Sequence, residues 1–448
     1  MTGPNRRSTH RRRFLAGLVT ASGVAVAGCS TLPWTDEESN GTFAASKIDG
    51  ILTTAVPPVE KPIPVQPDAS AVDDALKRVD ELLASVPDPL TAEAVPNGVV
   101  RESITDARDE ASGIRAGAAD TTGAASYHAL RDLRGARAEA RQARATWTAI
   151  DDETLTADLA DEHGELQPRL RDQRTSITYR GSADDLLRSI LYYSQLEAAL
   201  ERAVGSLTQW AIDETATVID IGEAAGELES AAATADVWAH CARRYEATLD
   251  DPIDLESVLI DALERCIDHA DSVEFPTQDD DWFDEVGVGD IDESYIEHIL
   301  WRTGGTVADE REGMKTAVSD GDPGTGLRHA VRFEQAFRAF EVVRDRIAAE
   351  SVTLPETIDD VRTEREAAIE AAETARNGLT APSSGALALA ETVQRLEWAD
   401  RSVRRRADAD PDAVVSLTSE YGNYVRVRAS LEVLPEAVDA FRSRVLED

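Results

Sequence analysis

The sequence predicts an all-α protein: a multi-helix bundle or an irregular array of helical hairpins behind a disordered N-terminal tether. From residue 70 onward, apolar residues recur at three- and four-residue steps, which is the spacing of one helix face. Segments that alternate apolar and polar residues with a period of two, as strands do, are scarce. Short turns rich in Gly, Pro, Asp and Asn separate the periodic segments, which indicates helices of ordinary length.

Residues 1–28 have the pattern of an export signal. Three arginines, at positions 11 to 13, precede an uncharged segment that ends in small residues at Gly28. A membrane-spanning helix needs about 20 predominantly apolar residues, and this segment is shorter and rich in Gly, Ala, Ser and Thr. The pattern R-R-x-F-L resembles a twin-arginine signal and is carried by Arg11, Arg12, Phe14 and Leu15.

The signal ends in Val26-Ala27-Gly28-Cys29, which resembles a lipobox. The resemblance implies cleavage before Cys29 and lipidation of its thiol, because the small residues let the backbone lie extended in a peptidase cleft. A two-chain lipid is needed for a stable anchor, since a single acyl chain holds a protein only marginally. A plain cleavable signal with a chance cysteine is the alternative interpretation.

The chain is strongly acidic, with 85 acidic and 46 basic residues, a formal net charge of -39 and a pI near 4.5. Its only lysines are Lys47, Lys61, Lys77 and Lys315, so nearly all the positive charge is arginine. This balance resembles that of proteins from extreme halophiles, whose carboxylates keep the surface hydrated in molar salt. At 1 M salt the Debye length is roughly 3 Å, so the acidic surface would attract little at long range. We therefore do not interpret the net charge as evidence for a particular partner. It argues against nucleic-acid binding.

The signal, the lipobox and the composition together resemble the exported lipoproteins of halophilic archaea. The resemblance is limited to the first residues and to the overall composition. It implies that the protein lies on the outer face of the cytoplasmic membrane, facing the outside and held there by a lipid on Cys29.

Residues 29–69 are rich in Ser, Thr, Gly and Pro and predict a lipid-anchored tether that is disordered or polyproline-like. Such a tether would hold the remaining chain well off the membrane. Within it, Asn40-Gly41-Thr42 is a glycosylation sequon with Asn40 as the acceptor, and chance occurrence is the alternative.

The remaining chain divides into helical region one (70–271), an acidic loop (272–293) and helical region two (294–448). Val72, Leu76 and Val79 begin the first apolar stripe, and Ser182-x-x-Asp185 has the pattern of a helix capping box. No repeat of fixed period is apparent, which leaves a bundle and an array both open. The acidic loop has two interpretations, a solvated loop or a Ca²⁺ site, although its spacing does not match an EF-hand.

Cys241 and Cys266 flank a turn at residues 250–253, and three interpretations remain open. If the flanking helices fold back as a hairpin, the two thiols lie at similar height and predict a disulfide. Two separate buried thiols are the second interpretation. The third is a zinc site completed by His240 and His269, for which the spacing H-C…C-x-x-H is unusual. We take the disulfide as the site prediction and predict no bound metal.

Two arginine clusters stand out in an otherwise acidic protein. A basic stripe along one helix face could bind anionic headgroups or an acidic partner, but pairing with carboxylates of neighbouring helices is favoured. The cluster Arg404 to Arg406 has the same two interpretations. His163 lies on the apolar stripe of its helix, which predicts that it is an interior histidine. The basic stripe consists of Arg131, Arg134, Arg137, Arg141 and Arg144.

The sequence contains none of the catalytic signatures G-x-S-x-G, H-E-x-x-H, Walker A or C-x-x-C. It therefore predicts a non-catalytic cell-surface lipoprotein that acts as a helical interaction or scaffold module, with no cofactor. Its expected partners are the membrane, through the lipid on Cys29, and an envelope protein. The alternative function is a helical solute- or metal-binding lipoprotein.

Overall fold

The computed structural model describes residues 41–213, 215–289, 291, 293–379 and 382–447, and it confirms the all-α prediction. The described residues form thirteen α-helices: α1 (Ala69–Leu83), α2 (Gly98–Ala118), α3 (Ala125–Thr148), α4 (Leu155–Thr175), α5 (Leu186–Gln209), α6 (Val218–Glu246), α7 (Glu256–Ser272), α8 (Trp282–Glu285), α9 (Ser294–Asp320), α10 (Pro323–Ala348), α11 (Ile358–Gly378), α12 (Ser384–Ala407) and α13 (Thr418–Val445). Two antiparallel strand pairs accompany them: β1 (Thr42–Ala44) with β4 (Val414–Ser416), and β2 (Arg180–Gly181) with β3 (Ile253–Asp254).

Several helices begin where the sequence supplies a cap. Capping boxes pair Thr217 with Asp220 at the start of α6, and Thr357 with Asp360 at the start of α11. In each, the two residues satisfy backbone N–H groups that the first turn leaves free. The capping box predicted from Ser182 is wrong, because the next three residues form a 3₁₀ turn and its side chain caps no helix.

The helices pack as a bundle around two central groups. In the first, α1, α2 and α6 pack on α3; in the second, α9, α7 and α13 pack on α10, with α11 and α12 against α13. One apolar cluster runs through both groups, from Ile48 to Val445. Alanines such as Ala136 and Ala140, both 0% exposed, let the helices approach closely. Because alanine buries less apolar area than leucine, each contact contributes less hydrophobic stabilisation.

Helix α5 packs on α6 of the first group and α10 of the second, and a buried carboxylate of α5 bonds the start of α10. Glu197 is 0% exposed and accepts hydrogen bonds from the backbone N–H groups of Gly324 (3.1 Å) and Thr325 (2.5 Å). A side chain at position 324 would lie 2.7 Å from the backbone nitrogen of Ser194, so glycine allows this close approach. The carboxylate also lies at the positive end of the α10 dipole.

The predicted tether is wrong for residues 41–69, because most of this segment packs on the helices. We call residues 41–68 the N-terminal strap. Its β1 strand pairs with β4, and the following 3₁₀ helix, Ala45–Leu52, buries Ile48 and Ile51 completely against α11 and α12. Farther on, Arg188 donates to the carbonyl of Pro64 (2.9 Å). Residues 29–40, including Asn40 of the sequon, lie outside the described residues.

A buried ion pair fixes the strap to the second group of helices. Arg365 and Asp400 are 1% and 2% exposed, and Arg365 Nη2 lies 2.7 Å from Asp400 Oδ2. The same guanidinium donates to the carbonyls of Ile51 (3.3 Å) and Thr54 (2.9 Å), and Tyr424 donates to Asp400 (2.9 Å). The strap thus supplies acceptors that keep a buried cation satisfied.

The acidic loop is held to the bundle by aromatic packing. Trp282 in α8 is 0% exposed, and its ring contacts Phe275, Phe340 and Trp301 at centroid distances of 6.2, 5.7 and 5.5 Å. The neighbouring acids, residues 279–281, are exposed. Among the described residues, no group of three or more His, Cys, Asp or Glu side chains is arranged to hold a metal ion.

Glu197 predicts a pH dependence of stability. Burial raises the pKa of this carboxyl from 4.5 to about 7. The folded state therefore holds a proton that the unfolded state has released, and this contribution to stability is lost as the pH rises from about 4.5 through 7. The loss amounts to about 3 kcal/mol. We expect the free-energy difference between wild type and Glu197→Gln to fall across this window, measured by denaturant unfolding at pH 5 to 8 and fixed salt.

The matched control is Glu201→Gln, which removes an exposed carboxylate from the same helix. A wild-type minus Glu197→Gln difference that stays constant over the window would contradict the buried, proton-binding carboxyl.

Candidate functional site

The two cysteines do not meet, so the predicted disulfide is wrong. Cys241 and Cys266 are both free and buried. The hairpin on which the prediction depended does not form, because α6 packs on α3 and α5 whereas α7 packs on α10 and α13. Burial raises the pKa of each thiol to about 12, so both stay protonated at neutral pH. They are core residues in two different parts of the bundle.

The histidines of the alternative zinc site are also separated. His240 accepts a hydrogen bond from the backbone N–H of Asp68 in the strap (3.1 Å). His269 lies 3.2 Å from the carboxylate of Glu334 on α10. His163 is half-buried, bonds the carbonyl of Leu207 (2.8 Å) and stacks on Trp210, in line with the prediction of an interior histidine.

Most of the carboxylates with little exposed surface are bonded to arginines from other helices. Glu229, 2% exposed, accepts from Arg78 of α1 (2.7 Å) and Arg137 of α3 (2.8 Å). Glu364, 6% exposed, is held in the same way, and Arg406 lies 2.7 Å from Glu420. We call each such arrangement a carboxylate clamp. The others are centred on Glu334 (His269, Arg338, Arg444) and Glu391 (Arg328, Arg332).

The basic stripe on α3 divides into paired and unpaired arginines. Arg137 belongs to the Glu229 clamp and Arg141 lies 2.9 Å from Glu162 of α4, which confirms the predicted pairing for these two. For the rest of the stripe the prediction is wrong, since Arg131, Arg134 and Arg144 have no ion pair within the described residues. Of these, Arg131 and Arg134 line a cavity.

We call this cavity the junction cavity; it has a volume of about 330 Å³ and is formed by α3, α5, α6, α10, α12 and the strap. Five of its lining residues are cationic, and one is a carboxylate, Glu391. The cationic residues are Lys61, Arg131, Arg134, Arg202 and Arg328.

Glu391 does not neutralise this positive charge, because two arginines already hold it. Arg328 and Arg332 each lie 2.5 Å from one of its oxygens. Burial alone would raise the pKa of Glu391, but these two cations outweigh it and lower the pKa. In the part of the chain that the structure describes, Arg131, Arg134 and Arg202 have no carboxylate partner.

Burial and like charge together lower the pKa values of several cations in the junction cavity. Burial and the charge of Arg131 lower the pKa of both Arg134 and Lys61. Burial and the charges of Arg134 and Arg131 lower that of Arg202. Each group would therefore gain from a nearby anion.

The cavity also contains buried donors that have no acceptor. Gln195 receives a hydrogen bond from Tyr127 (2.6 Å) at its oxygen, but its buried Nε2 has no partner. Arg328 Nε is buried without a partner as well. Buried donors are almost always satisfied in folded proteins, so these two groups show that the hydrogen bonding beside the cavity is incomplete. The rings of Tyr127 and Trp238 supply apolar wall.

This arrangement is suited to binding anions. Guanidinium groups present planar pairs of donors that match carboxylate and phosphate oxygens. General acid–base catalysis needs a group with a pKa near the working pH. The lowered pKa of Glu391 and the pKa of Tyr127, raised by burial, both lie away from neutrality.

Sequence reasoning identified Arg131 and Arg134 but assigned them to ion pairs, and it missed Lys61, Arg202 and Arg328. One signal was available: Arg134 and Arg202 have no acid three or four residues away on their own helices, in a chain that is otherwise rich in acids. No local feature of the sequence predicts that α3, α5 and α10 line the same cavity.

Comparisons with known proteins identify two families of unknown function. Residues 70–251 are similar to a family described as Domain of unknown function (DUF8262), and residues 256–443 to Domain of unknown function (DUF8264). No curated protein and no solved structure matches the chain. The gap between the two matches falls between α6 and α7, so α3 and α5 belong to one matched segment and α10 and α12 to the other.

The predicted export residues, Arg11, Arg12, Phe14 and Leu15, and the predicted lipidation site, Cys29, all lie outside the described residues. Among the helices that are described, none has both the length and the apolar character to cross a membrane.

Arg134 and Arg137 lie one helical turn apart on α3, so their substitutions compare the contributions of an unpaired and a paired arginine to stability. We expect Arg134→Gln to raise the unfolding free energy by about 0.5 kcal/mol at low salt, because it relieves repulsion, with the gain shrinking as salt rises. Arg137→Gln should lower it by about 2 to 3 kcal/mol, since it leaves Glu229 with Arg78 alone. Denaturant unfolding at two salt concentrations measures both effects. Equal destabilisation by the two substitutions would show that Arg134 is also paired.

Proposed function

We propose that this protein is a non-catalytic, lipid-anchored binding protein of the cell envelope, whose junction cavity holds a small organic anion. The observation that carries the proposal is the convergence of Arg131, Arg134 and Arg202, all without a carboxylate partner within the described residues, in a chain of net charge -39. Other described arginines also lack an ion pair, but these three line one cavity whose single carboxylate, Glu391, is already held by Arg328 and Arg332. That convergence favours a ligand.

The position of the cavity supports the same proposal. Ligand sites are common where two structural units meet, and α3 and α5 come from one family-matched segment while α10 and α12 come from the other. The strap contributes Lys61, which also donates to Gln394 on α12 (3.1 Å). A ligand in this cavity would contact both segments and the strap.

The chemistry of the walls defines the ligand class. A volume of about 330 Å³ lies at the small end of known ligand pockets. The unpaired cations favour a ligand with several anionic oxygens, as in a di- or tricarboxylate or a phosphate ester. Tyr127 and Trp238 accommodate a carbon skeleton.

The proposed location rests on the resemblance to twin-arginine-exported lipoproteins carried by Arg11, Arg12, Phe14, Leu15 and Cys29. It would place the protein on the outer face of the cytoplasmic membrane, where an envelope protein is its expected partner. Because the strap is bonded to the bundle from Gly41 onward, the eleven residues 30–40 separate the lipidated cysteine from the folded chain. A backbone of that length reaches no more than about 40 Å. The first bonded residue of the strap, Gly41, would then stay within that distance of the lipid.

Titration calorimetry with citrate tests the binding function. We expect citrate to bind the full chain and its neutral ester, trimethyl citrate, not to bind. Arg134→Gln and Arg202→Gln should each weaken citrate binding at least about tenfold, which corresponds to 1.4 kcal/mol. The matched control is Arg171→Gln, which removes an exposed arginine of α4 outside the cavity and should leave the affinity unchanged.

Two results would contradict the proposal: citrate binding that is equal in all four proteins, or binding of trimethyl citrate as strong as that of citrate. If citrate does not bind, glycerol 3-phosphate is titrated under the same conditions. Failure of both anions would refute anion binding in the junction cavity.

Cell fractionation tests the proposed anchor separately. Cys29→Ala should move the protein from the membrane fraction to the medium or the soluble fraction, because the thiol that carries the lipid is lost. Cys241→Ala is the matched control and should stay with the membrane. A Cys29→Ala protein that remains membrane-bound would rule out lipid anchoring at this residue.

A further inference from the structure

A second cavity lies within the segment matched by the second family, between α9, α10, α12 and α13. We call it the C-terminal cavity; its volume is about 330 Å³. Arg302, Arg395 and Arg426 line it, one from each of α9, α12 and α13. None of its described lining residues is acidic, and none of these three guanidinium groups has a carboxylate partner within the described residues.

The carboxylates near the C-terminal cavity are already engaged elsewhere. Glu391 is held by Arg328 and Arg332, and Glu310 is paired with His329 at 2.7 Å. Behind the lining residue Ser402, one oxygen of Glu420 is held by Arg406 at 2.7 Å. Burial and the charges of Arg302 and Arg395 lower the pKa of Arg426 to about 10. The positive charges of the three arginines therefore repel one another.

The remaining walls combine polar and apolar side chains, and one of the apolar groups is an exposed aromatic ring. The polar side chains are those of Thr303, Thr306, Ser402, Asn423 and Ser430. Trp398, on the same helix as Arg395, lines the cavity and is 54% exposed, an unusual position for so large an apolar side chain. Ala336, Ala339 and Val427 line the cavity with small apolar groups. An apolar, flat group would be covered on one side by Trp398 and would bury the tryptophan in turn.

We propose that the C-terminal cavity binds a phosphate monoester that carries an aromatic ring, with its phosphate among Arg302, Arg395 and Arg426 and its ring against Trp398. A phosphate dianion offers three oxygens to three guanidinium groups and neutralises most of their charge. The ring distinguishes this ligand from inorganic phosphate, for which Trp398 would have no role. This site shares no lining residue with the junction cavity and does not depend on its function.

The probes are phenyl phosphate, inorganic phosphate and phenol, titrated by calorimetry into the full chain at constant salt. We expect phenyl phosphate to bind at least about tenfold more tightly than inorganic phosphate, and phenol not to bind. Arg426→Gln should weaken phenyl phosphate at least about tenfold. Because Arg426 is partly buried, Arg302→Gln and Arg395→Gln, at exposed positions, provide two further variants with the same expected loss.

Trp398→Leu should remove the preference for phenyl phosphate over inorganic phosphate and leave the affinity for inorganic phosphate unchanged. Arg405→Gln, an exposed arginine of α12 outside the cavity, is the matched control. The site is overturned if phenyl phosphate does not bind or if the three arginine variants bind it as wild type does. It is also overturned if Arg134→Gln abolishes binding, which would place the ligand in the junction cavity. Equal affinity for phenyl phosphate and inorganic phosphate would overturn the assignment of the ring to Trp398.

Discussion

The structure depends on the neutralisation of buried carboxylates by arginines from other helices. A chain of net charge -39 with an alanine-rich core brings acids into its helix contacts, and a buried carboxylate without a partner is costly. The carboxylate clamps solve this at Glu229, Glu334, Glu364 and Glu391, and the pair Arg365–Asp400 does so for the strap. Arginine suits this role, because its planar fork bonds both carboxylate oxygens and keeps its charge when buried.

The same constraint makes the unpaired arginines informative. Elsewhere in the bundle, arginines at helix contacts bond carboxylates, as Arg137 does in the Glu229 clamp, or backbone carbonyls, as Arg265 does. In each of the two cavities, three lining arginines have no carboxylate partner among the described residues, and burial together with like charge lowers the pKa of Arg134, Arg202 and Arg426. Such an arrangement of like charges costs folding stability. Proteins tolerate that cost where a ligand or a reaction requires it.

Local sequence features predicted the helices but not the sites. The spacing of apolar residues predicted α1 close to its observed range, because about a dozen residues suffice to show the apolar face of a helix. The strap was missed, since its Pro- and Gly-rich segment has no periodicity and its carbonyls are satisfied by Arg188 and Arg365 from far along the chain. The disulfide prediction failed for a similar reason. It assumed that consecutive helices pack together, whereas α6 and α7 belong to different groups.

The proposed function depends on an anion in the junction cavity, and one measurement tests that most directly. The protein is purified from its native cells without added ligand, and its crystal structure is determined. We predict density for an organic anion whose oxygens lie within hydrogen-bond distance of the guanidinium groups of Arg134 and Arg202. A cavity that holds only water or chloride between these two residues would contradict the proposed function.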